Sequence, residues 1–342
     1  MNTWVWSIFI LCLTVNSSAR SSVFKSEALR LEQASNKLSE KILSKKANPV
    51  LIHDLEFTQD VKTKQNPSPA NAKTILSLLK LNASRWEKWK SPNEEPFILV
   101  DIAGYQVFYF EKEKRVYQTR ALVGQASTPT PVFKTEINKI VLNPWWIIPK
   151  NIVMTEVLPV LKKDLNLIHE GQLVVFKEMK KGLRKVSISE LKTQLEQPAE
   201  SFPFIVKQRP GEGNPLGNIK FTSKHPNSIF LHGTIEPELF SANQRAVSHG
   251  CVRLENPVAL AQWILKRQGL KIDLEKLSHR KMNSEETVIK LSKSVPIYFG
   301  YWTAWADNDL NYHLREDIYG LDKIPHPAEN SYVSLNSRTN SR

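Results

Sequence analysis

The chain has 342 residues, 41% of them hydrophobic and 24% charged, and its 47 Lys and Arg against 34 Asp and Glu give a formal net charge of +13. This length and balance exclude a disordered or fibrous chain and allow one or two domains with a sizeable core. The basic excess suits an anionic partner such as wall carboxylates, phosphate-bearing polymers or lipid head groups. The basic residues are dispersed (Lys37, Lys41, Lys45, Lys88, Lys162, Lys180) and no nucleic-acid motif surrounds them, which argues against nucleic acid.

The N-terminal run Trp4 to Val15 is apolar but too short for a comfortable membrane span. With Ser17 and Ala19 after it, it reads as a secretory signal over residues 1–19, cut after Ala19, which sends the chain across the inner membrane to the periplasm and cell envelope. Cys12 lies inside that run, and Leu11 before it is not the small residue a lipid-modified cysteine wants. The mature chain then keeps one cysteine, Cys251, in an oxidising compartment where it has no intrachain disulfide partner.

Residues 20–95 read as a helical N-terminal region. Ala28, Leu31, Ala34, Leu38 and Ile42 approximate helical spacing and predict a surface helix over Glu27–Lys46. Gln65-Asn66-Pro67-Ser68-Pro69 reads as a linker, and Ile75, Leu78, Leu79, Leu81, Trp86 and Trp89 mark a second helix ending near Pro92. The region holds too little apolar material to stand as a rich domain, so it packs on the downstream strands or stays partly flexible.

From Phe97 the texture turns β-branched and aromatic, and strands are expected at 97–101, 105–110, 116–123, 139–142, 228–231, 287–291 and 295–302. A helix with Val258, Ala261, Ile264 and Leu265 on one face is expected over Pro257–Gln268, ended by Gly269. Residues 145–207 interrupt this pattern with a helix over Asn151–Lys163, a strand at 173–176 and a basic turn at Lys180-Lys181-Gly182, and read as an insertion, either a lid or an added structural layer.

The chemistry concentrates in two short segments, Ile229-Phe230-Leu231-His232-Gly233-Thr234 and Ser248-His249-Gly250-Cys251-Val252-Arg253. A cysteine of ordinary pKa, about 8.5, is mostly protonated near neutrality, so a nucleophilic one needs a base beside it, and here two histidines are close in sequence. Zinc is disfavoured because only His249 and Cys251 are adjacent, with an unusual one-residue gap. A structural role for all three is opposed by Gly233 and Gly250, which flank them as though a backbone must approach closely or offer amide donors. Nucleophilic catalysis without metal or cofactor remains. Spacing alone leaves the base open: in an extended strand His249 points to the side of Cys251, as does Arg253, which could hold a carboxylate or brace the loop.

These segments resemble the signature of the L,D-transpeptidases, the YkuD-type catalytic domain. Gly124 with Thr128-Pro129-Thr130-Pro131 and Pro210 to Gly217 with Lys220-Phe221 extend the likeness, and Asn143-Pro144-Trp145-Trp146, Val295-Pro296-Ile297-Tyr298 and Thr303-Ala304-Trp305 resemble the large periplasmic YcbB-like branch. Leu81 to Trp86 resembles the helix leading into that domain. The resemblance implies a predominantly β fold with α additions, a sandwich or barrel-like catalytic domain over residues 96–306, the 145–207 insertion as a substrate cap, and a C-terminal extension over 307–342. It also implies a longer N-terminal scaffold and a peptidoglycan-binding module, for which residues 20–95 are too short.

By the same resemblance Cys251 is the nucleophile, His232 the base and the Gly233 carbonyl the group that orients it, while amides at Gly250 and Cys251 form an oxyanion hole. Ser248, His249, Arg253 and Trp145 shape the site or touch the substrate. The implied reaction attacks a peptidoglycan stem tetrapeptide, expels its terminal D-alanine and passes the acyl group to an amine to make a 3-3 cross-link. Carbapenems are the implied covalent inhibitors. Rival readings are an L,D-carboxypeptidase, a transpeptidase joining wall to protein, and a non-catalytic peptidoglycan-binding protein. Oligomeric state is not legible in the sequence.

Overall fold

The computed structural model describes residues 23–46, 69–89, 96–112, 114–211, 213–223, 229–270, 272, 274 and 285–323. The expected signal over 1–19 and most of the expected linker lie outside them.

Two helices open the described chain, α1 (Val23–Lys46) and α2 (Pro69–Glu87). Phe24, Ala28, Leu31, Ala34 and Leu38 on α1, and Ile75, Leu79, Ala83 and Trp86 on α2, repeat every three or four residues and are all buried. α1 begins four residues earlier than expected and, as a surface helix does, buries one apolar stripe and exposes its other face.

Both helices pack on one face of a sheet whose strands are buried on two sides. β1 (Phe97–Asp101) is buried along its whole length. Because side chains alternate across a strand, Phe97 and Leu99 join the helices' core while Ile98 and Val100 enter the central one. The Trp86 ring stacks on Trp302 with centroids 3.7 Å apart. Asn82 clamps the helix to the sheet's end, donating to Thr303 Oγ1 at 3.0 Å and accepting from the Thr303 amide at 2.9 Å.

β2 (Gln106–Glu111), β3 (Lys114–Gly124) and β4 (Phe133–Leu142) come next in the chain. After the insertion come β9 (Ile219–Ser223), β10 (Leu231–His232), β11 (Ala246–Ser248), β12 (Val252–Leu254), helix α7 (Pro257–Arg267) and β13 (Thr287–Gly300). The nine-stranded sheet runs β11-β3-β12-β10-β9-β4-β13-β1-β2, and β2 also pairs with β3. The sheet therefore closes on itself, with β11 branching from β3, and no long edge is left open. The central core fills this curve, with Leu260, Ala261, Ile264 and Leu265 of α7 packed into it.

Two strands expected at 287–291 and 295–302 are one strand, β13, whose register against β4 shifts between Lys290 and Val295. The polar Ser292-Lys293-Ser294 sits at that irregularity, which is why the pattern reads as a break. β14 (Ala304–Ala306) and β15 (Tyr312–Leu314) form a small hairpin beyond it. Residues 307–323 pack back on the body, where Arg85 meets Asp322 at 2.7 Å and Arg315 meets Asp101 at 2.5 Å.

The insertion carries its own sheet, of β5 (Trp146–Ile147), β6 (Leu173–Met179), β7 (Gly182–Lys185) and β8 (Ile205–Gln208), in the order β5-β8-β6-β7. Its own core includes Ile152, Leu158, Leu161, Val175, Leu191, Phe204 and Val206. The single helix expected over 151–163 is α3 (Lys150–Ile152), a π turn (Val153–Val157) and α4 (Leu158–Lys163). Pro159 explains the break, since it offers no N–H to the preceding turn, and the Leu158 amide reaches back to the Val153 carbonyl instead. α5 (Asn166–His169) and α6 (Ile188–Leu195), the latter capped by Ser187 accepting from the Glu190 amide, complete the layer.

Candidate active site

The sheet brings the two chemical segments side by side. β10 pairs in parallel with β12, placing His232 opposite Arg253, and antiparallel with β9, placing His232 opposite Lys220. Leu231, Phe221 and Val252 are the neighbouring row and point into the central core. Lys220, His232 and Arg253 thus form one row on the other face of three adjacent strands.

His232 is 4% exposed, and its Nδ1 stands 2.6 Å from the carbonyl oxygen of Gly233. A carbonyl only accepts, so Nδ1 carries the proton and Nε2 keeps its lone pair. Burial, then the Arg253 charge, then Lys220, oppose the imidazolium more than the Gly233 and Leu216 carbonyls favour it, and the pKa is pulled down to about 3.

Cys251 is half-buried and in no disulfide. Burial pushes its thiol up, while a hydrogen bond from the Phe230 main chain and the Lys220 and Arg253 charges pull it back. Both shifts favour the neutral forms, the thiol of Cys251 and the imidazole of His232.

The expectation that His249 and Arg253 share a side with Cys251 in one extended strand is corrected. β11 ends at Ser248 and β12 begins at Val252, and between them the chain bends through Gly250 at φ 108°, a conformation that favours glycine. The bend is held from several sides. Ser248 Oγ donates to the Cys251 carbonyl at 2.5 Å and accepts from the Gly250 amide at 3.1 Å. Thr130 Oγ1 donates to the Gly250 carbonyl at 2.8 Å and accepts from the Gly124 amide at 2.9 Å. Gly124 leaves room for this approach, since a Cβ there would stand 2.2 Å from the Thr128 carbonyl oxygen.

The Gly250 amide, expected to help form an oxyanion hole, donates within the turn to Ser248 Oγ. His249 turns outward: its Nε2 lies 3.1 Å from Glu156 Oε1 on the π turn of the insertion, both side chains being substantially exposed. Arg253 is mostly buried and paired with Glu236, so it braces the loop after β10. Trp145 lies under the Arg209 guanidinium, and its amide donates to Glu286 Oε2 at 2.8 Å.

Sequence reading singled out neither Glu156, Glu236 nor Tyr319. Each acts through a partner far along the chain, and nothing local marks it. Lys220 appeared only as part of a motif, because its place opposite His232 comes from the β9–β10 register, which no local pattern records. Among the described residues no group of three or more His, Cys, Asp or Glu side chains converges as a metal site would require.

Residues 95–276 match the model of the YkuD family, the L,D-transpeptidase catalytic domain. Over 325 residues the chain is 28% identical to a Haemophilus influenzae protein provisionally named an L,D-transpeptidase; the match covers 92% of this chain but only 64% of that protein's length. Among solved structures, an L,D-transpeptidase from Mycobacterium smegmatis is 13% identical, with 60% of this chain and 58% of that one covered at a TM-score of 0.29. One from Stackebrandtia nassauensis is 15% identical, with 68% and 70% covered at a TM-score of 0.23. On the match of its catalytic region, the chain belongs to the YkuD family of L,D-transpeptidase catalytic domains.

Proposed function

We propose that the protein is a cysteine-dependent peptidoglycan L,D-transpeptidase, with Cys251 as nucleophile, His232 as base and the Gly233 carbonyl as the group that orients it. The observation that carries this reading is a buried imidazole whose Nδ1 is fixed at 2.6 Å by that carbonyl, in the strand beside the cysteine. His249 is the weaker choice of base, since its imidazole is engaged by Glu156 on the insertion.

In the proposed first step Cys251 Sγ attacks the carbonyl carbon between the third and fourth residues of a tetrapeptide stem. The thiol proton passes to His232 Nε2 as the sulfur–carbon bond forms, because the neutral resting pair holds no standing thiolate. The tetrahedral intermediate collapses, the carbon–nitrogen bond breaks, and His232 returns the proton to the departing D-alanine amine. A thioester remains. An acceptor amine then attacks the thioester, gives its proton to His232, and the released thiolate takes that proton back. With a stem side-chain amine the product is a 3-3 cross-link; with water it is a tripeptide.

The insertion over 145–207 serves in this reading as a cap that favours the amine by limiting water, and the Glu156–His249 contact ties it to the nucleophile's turn. The expected signal over 1–19 supports a periplasmic site of action, and the net charge of +13 suits an anionic wall surface. The YcbB-like branch stays part of the proposal. The test is acylation: a carbapenem added to the chain is expected to raise its mass by one covalent adduct at Cys251, and an unmodified mass would count against an accessible, activated thiol.

A further inference from the structure

Lys220 is the one member of the cationic row that the bracing network does not use. Arg253 is neutralised by Glu236, whereas among the described residues no carboxylate forms an ion pair with Lys220. Its ammonium instead lies 3.8 Å from the ring centroid of Phe230, the residue whose main chain touches the Cys251 thiol. The Phe230 face attracts the ammonium, but a cation partly removed from water still gains from an anion that joins it. Burial accordingly pulls the Lys220 pKa down, and Cys251 and then Glu286 are the groups that pull it back up. Glu286 already accepts from the Trp145 amide.

We propose that Lys220 is the seat of a carboxylate-binding subsite, which takes the free carboxylate of the donor peptide's terminal residue while the Phe230 ring flanks the ammonium. This assignment rests on the transpeptidase reading of Cys251. The leaving amine is carried by the same carbon that bears the terminal carboxylate, so an anion on Lys220 places the scissile carbonyl close to the thiol. The row adds a second consequence. His232 lies between Lys220 and Arg253, and a substrate carboxylate on Lys220 offsets the cation that opposes proton transfer to the imidazole. The subsite also selects: a donor whose terminus is amidated leaves Lys220 without its counter-ion.

The test reads binding without turnover. The purified chain is alkylated with iodoacetamide, and the rate at Cys251 is followed by peptide mass, alone and with N-acetyl-D-alanine or N-acetyl-D-alaninamide. These probes carry the scissile amide with and without the carboxylate. The wild-type chain is expected to be protected by the acid at concentrations roughly tenfold or more below those the amide needs, the scale of a hydrogen-bonded charge pair. Lys220→Met is expected to erase that difference and Lys220→Arg to keep part of it, with an unchanged circular dichroism spectrum and urea midpoint reporting that the chain is still folded. Equal protection by both probes in the wild type, or a difference that survives in Lys220→Met, would overturn the subsite. So would a difference left intact while the unprotected rate alone changes, since Lys220 would then serve the thiol. Failure of the transpeptidase reading shows separately, as absent product from a tetrapeptide donor.

Discussion

His232 Nδ1 and the carbonyl oxygen of its own chain neighbour Gly233 stand 2.6 Å apart. The proposed base is thus oriented by a neutral group that fixes its tautomer while doing less for the imidazolium than a carboxylate does. Replacing His232 by alanine is expected to slow acylation by about 10²–10⁴-fold, the range of general-base catalysis. His249→Ala is expected to cost far less, because its partner is Glu156. Burst acylation by a carbapenem compares them, and the reverse ranking would sink the choice of base.

The depressed basicity of His232 also links folding to pH. In the folded chain it titrates at about 3, against about 6.5 for an unfolded histidine. Between those values the unfolded chain binds a proton that the folded chain refuses. The stability associated with the neutral imidazole is therefore present above about pH 6.5 and is lost as pH falls towards 3. Urea midpoints of the wild type are expected to drop more steeply than those of His232→Gln from about pH 6.5 down to about pH 4. Parallel curves would contradict the buried neutral imidazole.

Tyr319 ties the C-terminal segment to the turn that carries Cys251. Its hydroxyl donates to the Gly124 carbonyl at 2.6 Å and accepts from the Thr130 amide at 3.2 Å, and Thr130 in turn holds the Gly250 carbonyl. Tyr319→Phe leaves those main-chain groups without their partner and is expected to cost roughly 1–3 kcal/mol of stability. Acylation is expected to slow at the same time, while the carbapenem still reaches Cys251. Unchanged stability and rate would show that the turn holds itself.

Glu156→Gln tests the tie between cap and turn. The pair is exposed, so stability is expected to change by less than about 1 kcal/mol. The effect belongs in the donor's KM, which is expected to rise. A KM insensitive to the substitution would remove the insertion from the substrate's path.

Much of this was legible in the sequence for physical reasons. Phe97 to Val123 carries β-branched and aromatic runs that fit a pleated surface, and α7 is set by Val258, Ala261, Ile264 and Leu265 on one face. The pairing of β10 with both β9 and β12 was not, because register joins residues far apart and no local pattern records it. For the same reason the segment around Cys251 could be read locally as a candidate thiol site, while the Lys220, His232 and Arg253 row could not. The outward turn of His249 was misjudged because a two-residue alternation was assumed where Gly250 bends the chain. Which element covers the apolar stripe of α1 was not legible, because the stripe reads the same whatever packs on it.

The most direct measurement is to incubate the purified chain with a disaccharide-tetrapeptide and weigh the products, alongside Cys251→Ala. The wild type is expected to give a dimer lacking one D-alanine, and Cys251→Ala none. A dimer formed by Cys251→Ala would contradict the thiol mechanism. Tripeptide as the sole product of the wild type would contradict cross-linking and leave hydrolysis as the activity.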